Sequence, residues 1–223
     1  MTQGNGGKQV IKKIIFDVDN TIIEWKDDYD LIYLGGALDY FKIPYDRKLC
    51  RDIQNTIMEY EKNSKKFSRV ELTNFINEKL KLNLPVNYMD VALDIVTNCV
   101  PDKLDDDIIE TLKYLSSKYE LVVLTNWFEI PQTIRLAKLN ILKYFTHIYG
   151  SDDVIAKPYA GSFKTAMGSC KREECVMVGD SVRADVLGAL RNGLHAIHLN
   201  KNGEDSVEGA EEIRKFSDLM KIL

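Results

Sequence analysis

The sequence predicts an α/β fold in two parts: an open, Rossmann-like parallel sheet flanked by helices, and a helical bundle inserted after its first strand. Three observations predict it. Short apolar runs rich in β-branched residues recur along the chain, as in strands covered on both faces. Helical periodicities separate those runs, the alternation expected of an open sheet. One long interval, from about Glu24 to Lys103, breaks the alternation and shows helical periodicity alone. The chain has 223 residues, 45% of them hydrophobic. That length suits one large domain, or a domain carrying a substantial insertion, and that composition excludes a disordered protein.

The elements follow in order. The start, MTQGNGGKQV, is polar and glycine-rich (Gly4, Gly6, Gly7) and lacks the basic and apolar regions of a secretory signal. Val10–Val18 reads as the first strand. The bundle then shows four apolar stripes: Leu31, Leu34, Leu38 and Phe41; Leu49, Ile53, Ile57 and Tyr60; Leu72, Ile76 and Leu80; Val91 and Ile95. Pro44, the polar run Lys62–Lys66 and Pro85 punctuate it. Ile108, Leu112 and Leu115 mark a helix that opens on Asp105, Asp106 and Asp107. An acidic run invites a metal hypothesis, but the helix dipole already favours carboxylates at that end. Leu121–Leu124 is the second strand, followed beyond Pro131 by a helix carrying Ile134, Ala137 and Leu139. Cys175–Val178 is the third, followed by a helix through Ala184, Leu187 and Leu190 that stops near Gly193. Ala196–Leu199 is the fourth. The expected division is an α/β core of residues 1–22 and 104–223 and a helical domain of 23–103.

Thirty basic residues against 34 acidic ones give a net charge of −4. That balance offers no footprint for nucleic acid or anionic lipid. No apolar run is long enough to span a bilayer. Cys50, Cys99, Cys170 and Cys175 form no C-x-x-C pair and read as buried thiols of a reduced cytoplasm. Three histidines distant from them supply no zinc site.

Four constellations stand at strand ends, where open α/β sheets bind ligands. Asp17-Val18-Asp19-Asn20-Thr21 follows the first strand. Two ionised groups there are costly unless a cation or a phosphate site compensates, although Asp19-Asn20-Thr21 alone would also make an ordinary turn. Thr125-Asn126 closes the second strand and offers a hydroxyl and a backbone N–H to a phosphate oxygen. Trp127-Phe128 after it reads as packing against the bundle, or as a pocket wall. Lys157, kept extended by Pro158, can neutralise a phosphate or a carboxylate. Gly179-Asp180-Ser181 follows the third strand, with Asp185 in the first turn of the next helix.

In order and context these motifs resemble the haloacid dehalogenase-like superfamily, most of whose members are phosphatases. The resemblance covers residues 10–23 and 104–223 through Asp17/Asp19, Thr125, Lys157 and Gly179-Asp180…Asp185. It makes the inserted bundle a cap. It implies that Asp17 attacks phosphorus and that Asp19 protonates the leaving oxygen, then activates water. It implies phosphate contacts from Asp17, Val18, Asp19, Thr125, Asn126 and Lys157. Mg²⁺ would be held by Asp17, Asp180 and the Asp19 carbonyl. Thr21, Gly179, Ser181 and Asp185 would support the site, Asp185 through Lys157 or a water. The expected activity is Mg²⁺-dependent hydrolysis of a small phosphomonoester, such as a nucleotide or sugar phosphate. An acid at Asp19 disfavours dehalogenation. A phosphomutase shares every motif, and a non-catalytic protein would be expected to lose one. Phosphonate cleavage would need a cap lysine, and Lys26, Lys42, Lys48, Lys62, Lys65 and Lys66 are not distinguished. Glu24, Trp25, Lys26 and Tyr29 lie near enough to the first motif to approach a substrate. Tyr33, Tyr40 and Tyr45 suit a cap core or an interface, and the sequence does not choose between monomer and homodimer.

Overall fold

The computed structural model describes residues 10–223. The glycine-rich start, with its lack of a signal pattern, lies outside the described residues. Among the described residues, six strands form one sheet in the order β3-β2-β1-β4-β5-β6. They are β1 Lys13–Phe16, β2 Glu120–Leu124, β3 His147–Tyr149, β4 Cys175–Gly179, β5 His195–Leu199 and β6 Glu211–Ile213. Every pairing is parallel. The helices are α1 Gly36–Tyr40, α2 Arg47–Asn63, α3 Arg69–Leu80, α4 Tyr88–Val96, α5 Asp106–Ser116, α6 Glu129–Lys138, α7 Ala160–Met167, α8 Leu187–Arg191 and α9 Leu219–Ile222. Wider π turns, Leu31–Gly35 and Val182–Val186, lead into α1 and α8.

Successive strand residues face opposite layers, and both layers are apolar. Ile14, Phe16, Val123 and Val178 pack with Leu112 and Leu115 of α5, Leu136 of α6 and Leu219 of α9. Ile15, Val122 and Met177 pack with Phe163 and Ala166 of α7 and Ala189 of α8. Burial on both faces is why these strands read as unbroken apolar runs. The first strand is shorter than expected: Val10 is 66% exposed and pairing ends at Phe16. Asp17 and Val18 therefore lie just beyond its last paired residue.

The four helical stripes meet in a separate apolar cluster. Leu34, Leu38, Ile53, Ile57, Leu72 and Ile76 are buried there, with Leu31, Phe41, Leu49, Leu80, Val91 and Ile95 packed around them. Asp46 and Ser68 cap α2 and α3, accepting from the N–H groups of Leu49 and Glu71. Trp127 and Phe128 join this cluster from the sheet side, and Phe67 packs edge-on against Phe128 at 6.0 Å. Tyr33 is buried in it, whereas Tyr40 is 67% exposed.

Asp105 precedes α5, and Asp106 and Asp107 occupy its first turn, with Asp106 paired to Lys103 at 2.9 Å. The dipole reading of that acidic run therefore stands. The helix after β2 differs from expectation. It begins at Glu129, so Pro131 lies inside its first turn, where a missing N–H costs nothing. Ile134 and Ala137 face outward, and the buried face is Pro131, Gln132, Arg135 and Leu136. The four cysteines are free; Cys50, Cys99 and Cys175 are buried, and Cys170 is partly exposed. Among the described residues, no helix is long and apolar enough to cross a membrane.

Candidate active site

Asp17 follows β1, Thr125 follows β2 and Asp180 follows β4, three adjacent strands. Chain order reverses around β1, so a crevice opens at the carboxyl ends there. A cavity of about 520 Å³ fills that crevice. It is walled by Asp17, Asp19, Thr125, Asn126, Lys157, Asp180, Ser181 and Asp185 below and by α2 above.

Lys157 organises the floor. It is 2% exposed, and its Nζ lies 2.6 Å from Asp17 Oδ1 and 2.7 Å from Asp185 Oδ1. Burial opposes its charge, but the two carboxylates prevail and raise its pKa above the ordinary lysine value. Its backbone is clamped by the Asn126 amide, whose Oδ1 accepts from Lys157 N at 2.7 Å and whose Nδ2 donates to Lys157 O at 2.9 Å. The sequence offered the Asn126 backbone N–H, not its side chain, to a phosphate oxygen; the side chain places the lysine. Asp185 is fixed from the other side, accepting from Ser181 N at 3.0 Å. Ser181 Oγ in turn accepts from Ala184 N, closing the turn.

Carboxylate oxygens of Asp17, Asp180 and Asp185 lie within 4.8 Å of one another. Lys157 can neutralise only one of these three charges. Burial, and then the neighbouring Asp185, push Asp180 up to about 6. Burial also holds Asp17 well above the carboxylate range, partly offset by Lys157. Thr21 donates to Asp180 Oδ1 at 3.2 Å, and His198 Nε2 lies 3.1 Å from the Asp180 carbonyl. Clustered, desolvated carboxylates with unspent negative charge fit a hard divalent cation.

Asp19 is held differently. Its Oδ1 accepts from Arg135 Nη1 and its Oδ2 from Gln132 Nε2, each at 2.6 Å. Thr125 Oγ1 accepts from Trp127 N at 3.2 Å and from Gln132 Nε2 at 3.3 Å. Both hydroxyl lone pairs are thereby used, which leaves the Thr125 proton to donate into the cavity. The N–H groups of Val18 and Asp19 donate to no acceptor among the described residues.

Sequence reasoning missed the upper wall. Arg51, Gln54, Asn55, Met58, Glu61 and Lys62 repeat at helical spacing on α2 and face the cavity. Burial, and then Asp19, push Glu61 up to about 8. Of the residues singled out near the first motif, Trp25 lines the cavity, Tyr29 is buried in the bundle, and Glu24 and Lys26 are exposed outside it. Of the cap lysines considered for a Schiff base, Lys62 alone lines the cavity. Gln132 and Arg135 were missed as well; their one signal is an i, i+3 spacing shared with Leu136 on a single helix face.

A family model for haloacid dehalogenase-like hydrolases matches residues 11–193. A glyceraldehyde 3-phosphate phosphatase of Methanothermobacter thermautotrophicus is 34% identical over 126 residues, 49% of this chain and 55% of that protein. The chain thus spans about half the length of that relative. The pyrimidine 5'-nucleotidase PynA of Streptococcus pneumoniae is 25% identical over 95% of this chain and 94% of its own. A solved haloacid dehalogenase-type phosphatase from Thermococcus onnurineus superposes with a TM-score of 0.67 at 26% identity, covering 95% of this chain and 97% of that one. The hydrolase YfnB of Bacillus subtilis, crystallised bound to magnesium, shares the fold with a TM-score of 0.73 at 20% identity, covering 96% and 98%. With a family match across most of its length, the chain belongs to the haloacid dehalogenase-like hydrolases.

Proposed function

We propose that this protein hydrolyses small phosphomonoesters with Mg²⁺ through an aspartyl-phosphate on Asp17. The observation that carries the reading is the buried contact of Lys157 with Asp17 at 2.6 Å, beside a three-carboxylate cluster at the mouth of β1 and β4. Asp17 attacks phosphorus. Lys157, the Thr125 hydroxyl and the free amides of Val18 and Asp19 receive the phosphoryl oxygens. Asp19 gives a proton to the leaving oxygen and afterwards takes one from the attacking water. Asp17, Asp180 and the Asp19 carbonyl would hold Mg²⁺, with Asp185 beside them. The cation would supply charge that offsets repulsion between carboxylate and phosphate. Asp185 keeps Lys157 charged and aimed.

Residues 23–103 act as a cap over a core of 1–22 and 104–223, which the separate apolar cluster of the helices supports. Relatives named as a pyrimidine nucleotidase and a triose phosphatase favour nucleoside monophosphates and sugar phosphates as substrates. The four free thiols agree with a cytoplasmic setting. The test is phosphate release from a panel of nucleoside monophosphates, triose phosphates and hexose phosphates with Mg²⁺. Release from at least one small ester supports the reading. No release from any, or isomerisation of a sugar phosphate without release, overturns it.

A further inference from the structure

We propose that Arg135 and Gln132 are positioning residues that orient the Asp19 carboxylate for proton transfer, with Arg135 tying that orientation to both crossings into the helical layer. This rests on the reading of Asp19 as general acid.

Arg135 is fully buried, yet it carries a charge. Its one ion-pair partner among the described residues is Asp19, at 2.6 Å. The same Nη1 donates to Gln132 Oε1 at 2.7 Å, and Gln132 Nε2 donates to the second Asp19 oxygen. A buried guanidinium that served packing alone would be replaced without loss by an apolar side chain. This one is aimed at a carboxylate whose side chain is 28% exposed at the cavity. Arg135 also reaches both chain crossings. Its Nε donates to the Cys99 carbonyl at 3.0 Å, where the chain returns from the bundle, and its guanidinium lies 5.2 Å from the ring centre of Trp25, where the chain leaves for it. Any shift of the helical layer at those crossings is therefore felt at Asp19.

The two contacts on Asp19 have different tasks. Arg135 keeps Oδ1, so its own charge is never left buried and alone. Gln132 holds Oδ2 from one side and steadies Arg135 through its own Oε1, which leaves the other side of Oδ2 to the leaving oxygen of a seated substrate. The proton that Asp19 took from the attacking water of the previous turnover passes from Oδ2 to that oxygen as the old P–O bond breaks and the Asp17–phosphorus bond forms, and Asp19 is left as the carboxylate that both donors hold.

The test is leaving-group dependence, which separates proton delivery from general structural damage. Glycerol 2-phosphate expels an alkoxide and needs the proton; dinitrophenyl phosphate expels a stable phenolate and does not. Asp19→Asn sets the benchmark. Arg135→Met and Gln132→Met are expected to lower kcat/KM on glycerol 2-phosphate, which reports the steps up to loss of the leaving group, about 10- to 100-fold, a fraction of the general-acid effect, while kcat/KM on dinitrophenyl phosphate changes less than about 3-fold. Arg135→Lys is expected to recover part of the loss. Equal loss on both esters, or no loss on either, overturns the proposal. Should Arg135→Met not fold, Gln132→Met carries the same contrast alone. Where wild type does not turn over glycerol 2-phosphate, an alkyl ester of the phosphate panel that it does turn over takes its place; wild-type protein inactive on the whole panel would instead fail the proposed function. A contrast in Asp19→Asn that is missing from the Arg135 and Gln132 variants fails only this inference.

Discussion

A Cβ placed on Gly179 would stand 2.2 Å from Oδ2 of Asp185. The glycine is thus the space in which Asp185 reaches Lys157, and the Gly-Asp pairing of the fourth motif has a steric cause. Gly179→Ala is expected to push Asp185 off the lysine. The clash should cost about 1–3 kcal/mol of stability, the range for overpacking. Phosphate release should fall further than this loss of folded protein explains. Thermal unfolding followed with kinetics checks both. Unchanged kcat would separate Asp185 from the working of the site.

Glu61 predicts a pH effect with a definite sign. Burial and Asp19 move it from an ordinary 4.5 to about 8. Below the lower value both folded and unfolded chains hold the proton. Between the two values the folded chain holds more protons, so stability falls as pH rises and the penalty is complete above the upper one. Glu61→Gln removes the penalty. The variant should match wild type in Tm near pH 4.5 and exceed it near pH 9 by roughly 2–8 °C. That range corresponds to on the order of 1–2 kcal/mol after allowance for solvent at the cavity mouth. Equal Tm at both pH values would show Glu61 ionised and hydrated.

The three-carboxylate cluster predicts metal dependence. Chelation followed by dialysis should abolish phosphate release, and Mg²⁺ should restore it. Mg²⁺ at a hundred times its Kd should stabilise the protein by about 2.7 kcal/mol. Asp180→Ala should shrink that Tm shift and raise the Mg²⁺ needed for half-maximal rate. Full activity after chelation would remove the metal from the account.

The sheet and the cluster on its floor were legible because their chemistry is local. Ile14, Ile15 and Phe16 are buried on both faces, so β1 reads as a strand directly. The same holds for β2, β4 and β5, and β1, β2 and β4 are each followed directly by a residue of the site. β3 and β6 escaped notice because they are edge strands of three residues, His147-Ile148-Tyr149 and Glu211-Glu212-Ile213, with polar or half-exposed faces. The acidic residues and Lys157 could be listed from their motifs. Their pairing could not, because Asp17 and Lys157 are 140 positions apart. Arg135 was invisible for a further reason. A charged residue in an amphipathic helix reads as solvent-facing, and only the tertiary fold shows that Ile134 takes the outside and Arg135 the inside. The face of α2 was hidden likewise: Arg51, Gln54 and Asn55 are an ordinary polar stripe until the helix is laid over the crevice.

The central claim is that Asp17 performs the chemistry. Its most direct measurement is Mg²⁺-dependent phosphate release from p-nitrophenyl phosphate by wild type and Asp17→Asn, with thermal unfolding of both recorded. Asparagine keeps the shape of the side chain and removes its nucleophilic charge. The account predicts a folded variant whose rate is lost in the assay background. An Asp17→Asn protein that turns over at the wild-type rate would contradict it.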